Sequence, residues 1–210
     1  GFRPNSDEWK VMALSSYSEK NNKYYHKLKE LVQLKDDGGF EIDLTYFKEF
    51  VHETPGVYTD KLVMLLGKDR KQNDKLEPRH YEIAAAMQQI TEETMSHCLN
   101  WLQRETGLVD LVVAGGLFMN SVFNGKIHQT TPFKNVYVSS CPDDSGLSIG
   151  AALCLYHHIL DRPNRQEFTH SYYGPEYSDN QIKETLDKYG LTYEYHKDIE
   201  KVTAKKISDG

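Results

Sequence analysis

The chain has 210 residues, 39% of them hydrophobic, and a formal net charge of −6, a composition that can bury a core and is far from that of a disordered segment. An isoelectric point near 5.8 without a run of basic residues argues against a sequence-independent grip on nucleic acid, and no apolar stretch approaches the ~20 residues that span a bilayer. Three cysteines, Cys98, Cys141 and Cys154, without CxxC spacing, fit a reducing, cytoplasmic compartment and suggest neither a disulfide framework nor a zinc site.

The opening 25 residues are polar and irregular and read as a loop, which feeds a short amphipathic helix carrying Tyr24, Leu28, Leu31 and Val32. Alternating Val32 and Leu34, then Phe40 and Ile42, flank Asp37-Gly38-Gly39, whose glycines permit the positive φ of a hairpin turn. The segment DLTYFKEFVH predicts a helix capped by Asp43, and KLVMLLG a second one closing at Gly67; KDRKQNDKLEP is an exposed connection. From Pro78 to Gly107, Ile83, Met87, Ile90, Met95, Cys98 and Leu102 recur near the helical period, with proline at the start and glycine at the end.

Leu108 to Ala114 is a continuous apolar run, read as a strand buried on both faces; Met119 to Gln129 reads as a helix, Asn135 to Ser139 as a strand, and Ser145 to Leu160 as a helix. The alternation is that of an α/β layer. After Leu160 the composition turns to DRPNRQEFTHSYYGPEYSDN, a linker, beyond which a helix over Asp179 to Tyr189, a strand over Thr192 to His196 and a helix over Asp198 to Ser208 are expected. Gly1 is not methionine and KKISDG stops on a turn signal, so the chain is expected to be a piece of a longer one.

Two places carry chemistry. Gly115 and Gly116 follow the first strand, where backbone N–H groups could face an anion and no Cβ blocks approach; a tight strand-to-helix turn would equally account for them. Asn120 and Asn124, four apart, could present amides to a nucleotide or serve as ordinary caps. Asp143 and Asp144 follow the second strand, at the sheet end where open α/β folds place ligands. One of them suffices for capping, which leaves the other for a metal or a substrate. His157 and His158 point apart on their helix and are given no ligand role.

The order LVVAGGLFMNSVFNGKI, then TPFKNVYVSSCPDDSGLSIGAAL, resembles the carbamoyltransferase family of nodulation-factor and antibiotic O-carbamoyltransferases, whose patterns AGGVALNxxxNG and PFxxVxVxPxxxDxGxAxGAA it follows from Ala114 to Gly125 and from Pro132 to Ala152. GFRPNSDEWKVMAL, PRHYEIAAAMQ and YYGPEYSDNQI resemble further family stretches, so the likeness covers nearly the whole chain. The resemblance implies the second lobe of an actin-like (sugar kinase and ribonuclease H-like) nucleotide-binding fold over residues 1–162, a linker over 163–172, and over 173–210 the truncated start of an α+β, YrdC-like C-terminal domain.

It further implies that carbamoyl phosphate and ATP become carbamoyladenylate, and that the carbamoyl group then passes to a hydroxyl-bearing acceptor with the help of a bound divalent metal, iron in the best-understood relatives. By motif position Asp144 matches the metal-ligating aspartate, Gly115, Gly116 and Asn120 match the phosphate- and nucleotide-contacting loop, with Asn124 beside them, and Glu8 and Lys10 match a stretch near the nucleotide. The family's HxxxH ligands lie in an N-terminal lobe outside this chain, which is therefore expected to be inert alone. MALSSYS stands where the family has MGLAPYG, and DDSG where it has a small residue before DAG. Competing readings are an actin-like-fold ATP-binding kinase or nucleotide sensor, and a degenerate scaffold that binds nothing. The apolar face of the C-terminal segment, Ile182, Leu186, Val202 and Ile207, is expected to pair with a second copy of the chain or stay mobile.

Overall fold

The computed structural model of the chain describes residues 1–3, 6–48, 57–165, 167–168 and 170–210. It is a mixed α/β structure in two units, Gly1–Pro163 and Asn164–Gly210. No helix among the described residues is long and apolar enough to cross a membrane.

The first unit is organised around the 29-residue helix α4, Pro78–Thr106. Its ends are set by sequence. Pro78 occupies the first turn, the Glu77 N–H donates to Nδ1 of His80, and Gly107 closes the helix in the left-handed region at φ 66°. Two apolar clusters use different stretches of this helix. Ala86 and Ile90 pack with Tyr24, Leu28 and Leu31, drawing in Leu62, Leu65 and Leu66. Further along, Leu99 packs with Leu111, Val113, Phe123, Ile127 and Phe133.

The first cluster closes against α2 (Lys23–Lys29), the hairpin of β1 (Val32–Leu34) and β2 (Phe40–Ile42), and α3 (Asp60–Leu66). The hairpin is antiparallel with Val32 opposite Ile42, and Gly38 takes φ 80° at its turn, as the Asp-Gly-Gly signal predicts. The second cluster lies under a parallel pair, β3 (Asp110–Val113) and β4 (Asn135–Val138), in register Leu111 to Val136. Between them run a 3₁₀ turn, Gly116–Met119, and two one-turn helices, α5 (Ser121–Asn124) and α6 (Ile127–Thr130); after β4 come a 3₁₀ turn, Asp144–Gly146, and α7 (Leu147–Cys154), extended by a π-helical turn to Ile159.

Several expectations are corrected. Residues Glu8–Leu14 form helix α1, not a loop: Asp7 and Glu8 supply negative charge at its start, EWKVMAL holds no helix breaker, and the helix lies against α4. After Asp43 there is a single 3₁₀ turn, Leu44–Tyr46, not a long helix; the Asp43 carboxylate accepts from the Thr45 N–H, and Phe47 then extends and bridges Tyr58. Positions 49–52 of that expected helix lie outside the described residues. Strand β3 is buried on one face only, with Leu111 and Val113 inward and Val112 75% exposed, because among the described residues no layer covers the other face of this two-stranded sheet. In place of the helix expected over Met119 to Gln129 there are two one-turn pieces: Asn120, whose ψ of 85° is not helical, delays the start, and a turn at Gly125-Lys126 separates α5 from α6.

The second unit contains α8 (Asp179–Lys188) and α9 (Ile199–Asp209). Ser178 and Gln181 form a capping box at the start of α8. Thr192 to His196 do not form the expected strand: among the described residues no neighbouring strand receives their N–H and C=O groups, and Tyr193 instead donates its hydroxyl to Asp187 at 3.0 Å. None of the described residues of this unit is buried, and Ile182 and Ile207 are exposed.

Candidate functional site

Because β3 and β4 are parallel, their C-terminal ends lie at the same edge, and the loops that leave them meet there. The Gly115 N–H donates to the carbonyl of Pro142 at 2.6 Å, tying the glycine loop to the loop that carries Asp143 and Asp144. Gly115 adopts φ 105°, a region that excludes most side chains, and Pro142 is buried. The sequence leaves the Gly115 N–H free for an anion; here it is engaged, as are those of Phe118 and Asn120, so the turn offers the amides of Gly116 and Leu117 at its start. Space remains there, since a Cβ added at Gly116 would meet nothing within 4 Å.

The two aspartates differ. Asp143 precedes the 3₁₀ turn, but its carboxylate accepts from the Ser145 hydroxyl at 2.6 Å and from no backbone N–H of the turn. Asp144 is exposed, and among the described residues nothing donates a hydrogen bond to it. Gly146 fits against the Cys141 carbonyl so closely that a Cβ would overlap it, which fixes the turn presenting Asp144.

The family resemblance implies a metal at this place. Among the described residues no group of three or more His, Cys, Asp or Glu is arranged to hold one. Asp144 is a single carboxylate, and one ligand does not retain a divalent ion. The residues of this chain therefore do not make the site by themselves, and no chemistry is routed through a metal here.

The asparagines have partners. Asn120 is the N-cap of α5, accepting from the Phe123 N–H at 3.0 Å, and its amide also pairs with Gln88 of α4. Asn124 donates to the Phe118 carbonyl at 2.7 Å, and its buried Oδ1 has no hydrogen-bond partner among the described residues. The two amides therefore do not share an open helical face. Lys10 pairs with Asp7 at 2.8 Å on its own helix, and Glu8 is exposed in the first turn of α1. Neither lines the larger cavity near Asn120.

That cavity, of about 500 Å³, lies between the segment after α1 and the α4–α5 contact, with Ser15, Ser18, Lys20, Gln88, Glu92 and Lys126 in its wall. Glu92 is buried, with Lys20 at 2.7 Å and Lys126 at 2.5 Å. Burial alone would raise its pKa, but hydrogen bonds from Lys126, Lys20 and Gln88 outweigh it and hold the carboxyl below its ordinary value. Sequence reasoning missed this cluster. Its signal was present in Gln88 and Glu92, polar residues spaced i, i+4 on an otherwise apolar helix face.

The chain is similar in sequence to known proteins. Residues 1–153 match the family model described as Carbamoyltransferase N-terminus. An uncharacterized protein of Synechocystis sp. is 32% identical over 206 residues, covering 94% of this chain and 33% of that protein. The nodulation protein NolNO of Sinorhizobium fredii is 26% identical, covering 97% of this chain and 28% of its own length; the nodulation protein NolO of Bradyrhizobium diazoefficiens is also 26% identical, with 85% and 30% covered. The chain thus spans about a third of the length of these curated relatives.

Proposed function

The chain belongs to the carbamoyltransferase family, and on that premise we propose that it supplies the nucleotide-facing part of an O-carbamoyltransferase whose remaining parts lie elsewhere in a longer polypeptide. Carbamoyl phosphate and water would first give carbamate and phosphate, and a carbamate oxygen would then attack the α-phosphorus of ATP and displace pyrophosphate, leaving carbamoyladenylate. An acceptor hydroxyl would then attack the carbamoyl carbon, lose its proton, and displace AMP, leaving a carbamate ester on a small molecule or glycan.

The observation that carries this reading is the bond from Gly115 to Pro142, which brings the glycine turn and the Asp143-Asp144 loop to one edge of the parallel pair. In the proposed assignment the amides of Gly116 and Leu117 and the Asn120 side chain hold the adenylate, close approach being possible because no Cβ stands at Gly116. Asp144 bears on the transfer centre, as this chain's one contribution to a metal site completed from outside it. The parallel pair with its flanking helices belongs, on this reading, to an actin-like lobe of residues 1–162, and residues 173–210 open a second domain after a linker.

The experiment is to give full-length protein ATP, carbamoyl phosphate and a panel of hydroxyl compounds. Release of pyrophosphate and AMP with formation of a carbamate supports the proposal. Production of ADP and a phosphorylated acceptor would replace it with a kinase reading, and the absence of nucleotide binding by calorimetry would remove both.

A further inference from the structure

A chain of polar contacts runs from the Glu92 cluster to the cap of α5. Both oxygens of Glu92 are taken: Oε2 accepts from Lys20, and Oε1 accepts from Lys126 and from Nε2 of Gln88 at 3.0 Å. A carboxylate only accepts, so the Gln88 atom facing it has to be the amide nitrogen. The second hydrogen of that nitrogen goes to Oδ1 of Asn120 at 3.2 Å, and the Gln88 Oε1 accepts from Nδ2 of Asn120 at 2.9 Å. Asn120 Oδ1 also receives the Phe123 N–H. One hydrogen on Asn120 Nδ2 then remains, and among the described residues it has no acceptor.

We propose that Gln88, oriented by Glu92, is a positioning residue: it fixes the facing of the Asn120 amide and so leaves Asn120 with one N–H for an acceptor atom of the adenine nucleotide. The inference rests on the reading that Asn120 touches the nucleotide. The facing is held from both sides: two ammonium groups, which only donate, set the direction through Glu92 and Gln88, and the Phe123 N–H holds the same Asn120 oxygen. Without Gln88, the Phe123 N–H alone holds the Asn120 oxygen, and the Nδ2 group loses the acceptor that takes its first hydrogen and so directs the second to the ligand.

Gln89 provides the control. It is also buried on α4 and bonded through its side-chain amide, but to Asn21 and Glu93, away from Asn120. The test is calorimetric titration of full-length protein with AMP and with ATP, for wild type, Gln88→Leu, Asn120→Ala, the double variant and Gln89→Leu, each checked by its melting temperature. Gln88→Leu and Asn120→Ala are each expected to weaken binding by about tenfold. The double variant should be no weaker than Asn120→Ala alone within about twofold, because the residues act as one unit. Gln89→Leu should lower the melting temperature and leave affinity unchanged. Where Gln88→Leu does not fold, Gln88→Met removes both polar atoms at similar length and volume, and the same weakening is expected.

Wild-type affinity in a folded Gln88 variant beside a weakened Asn120→Ala, or losses that simply multiply in the double variant, would overturn the inference while leaving the nucleotide reading intact. Wild-type affinity in Asn120→Ala, or a wild type that binds neither nucleotide, overturns the reading itself and the inference with it.

Discussion

Gly115 and Pro142 are 27 positions apart in the sequence and joined by one short hydrogen bond, N–H to carbonyl at 2.6 Å, across the ends of β3 and β4. The bond makes the glycine loop and the aspartate loop a single object. A displacement of either strand end moves both, so residues that hold the second loop in shape control the first as well. Gly146 is one of these.

Gly146 has an ordinary φ of −75°, so its need for glycine is one of space alone. Gly146→Ala would drive a methyl group into the Cys141 carbonyl, at a cost of about 1–3 kcal/mol, and should lower both the melting temperature and the carbamoyl-transfer rate of the full-length protein. Gly150→Ala, four residues further along the chain in α7, meets nothing within 4 Å. It should be neutral or stabilising by up to ~1 kcal/mol, as alanine is preferred in a helix. Equal melting temperatures for the two variants would show that the turn before α7 yields easily.

Asp143 and Asp144 are separable by substitution. Asp144 carries no hydrogen bond among the described residues, whereas Asp143 holds the Ser145 hydroxyl. In the full-length protein, on the proposed reaction, Asp144→Asn should keep the fold and the ATP–pyrophosphate exchange that the proposed adenylate-forming step would show, and reduce transfer to the acceptor by roughly 10²-fold or more. Asp143→Asn retains an acceptor oxygen for Ser145 and should change transfer by less than about tenfold. Product formation, exchange and metal content measured side by side decide it, and equal damage from the two changes would sink the assignment to Asp144.

At Gly38 two constraints coincide. The hairpin turn takes φ 80°, and a Cβ there would run into the ring of Trp101 on α4. A turn that needed only positive φ would accept asparagine. Gly38→Asn and Gly38→Ala should therefore both destabilise, by similar amounts on the order of 1–3 kcal/mol, and a melting temperature for Gly38→Asn close to wild type would show that the Trp101 contact does not matter.

The sequence made legible those elements whose signals are local and redundant. Helix α4 carries its period, a proline at one end and a glycine at the other; the β1–β2 hairpin has its Asp-Gly-Gly; β3 and β4 are short apolar runs between turns. What it hid depended on partners distant in sequence. Thr192 to His196 has the composition of a strand, but a strand exists only where another receives its hydrogen bonds. Helix α1, lying between Ser- and Asn-rich stretches, was masked by its flanks and is supported by packing on α4. The same division holds at the site. Gly115, Gly116 and Asp144 stand out by motif, and the structure brings their loops together; Gln88, Glu92, Lys20 and Lys126 come from three separate segments and meet only in the folded chain. A helical i, i+4 pair of buried polar residues pointed toward them, yet it could not name the lysines.

The Glu92 cluster also predicts an acid response. Its carboxyl is held below the ordinary value of 4.5 in the folded chain, by Lys126, Lys20 and Gln88 against the opposing effect of burial. The folded protein thus takes up that proton less readily than the unfolded chain, and the stabilisation is fully present above pH 4.5 and lost as pH falls through the depressed folded value. His80 works in the same sense at higher pH: burial, with Arg79 adding to it, depresses its pKa from 6.5, so its contribution begins to fall once pH drops below that figure. Lowering the pH of full-length protein from 7 should reduce the melting temperature in two stages, a shallow one from His80 and a steeper one below about pH 4.5, to which Glu93 adds through Lys29, Gln89 and Tyr25, again against burial. Glu92→Gln should lower stability at pH 7, since two lysines lose their carboxylate, and should narrow its gap from wild type as pH falls through the second stage. His80→Asn should flatten the first stage alone. Parallel melting curves for wild type and Glu92→Gln across the whole range would mean that the carboxylate's charge contributes nothing to holding α4, Lys20 and Lys126 together.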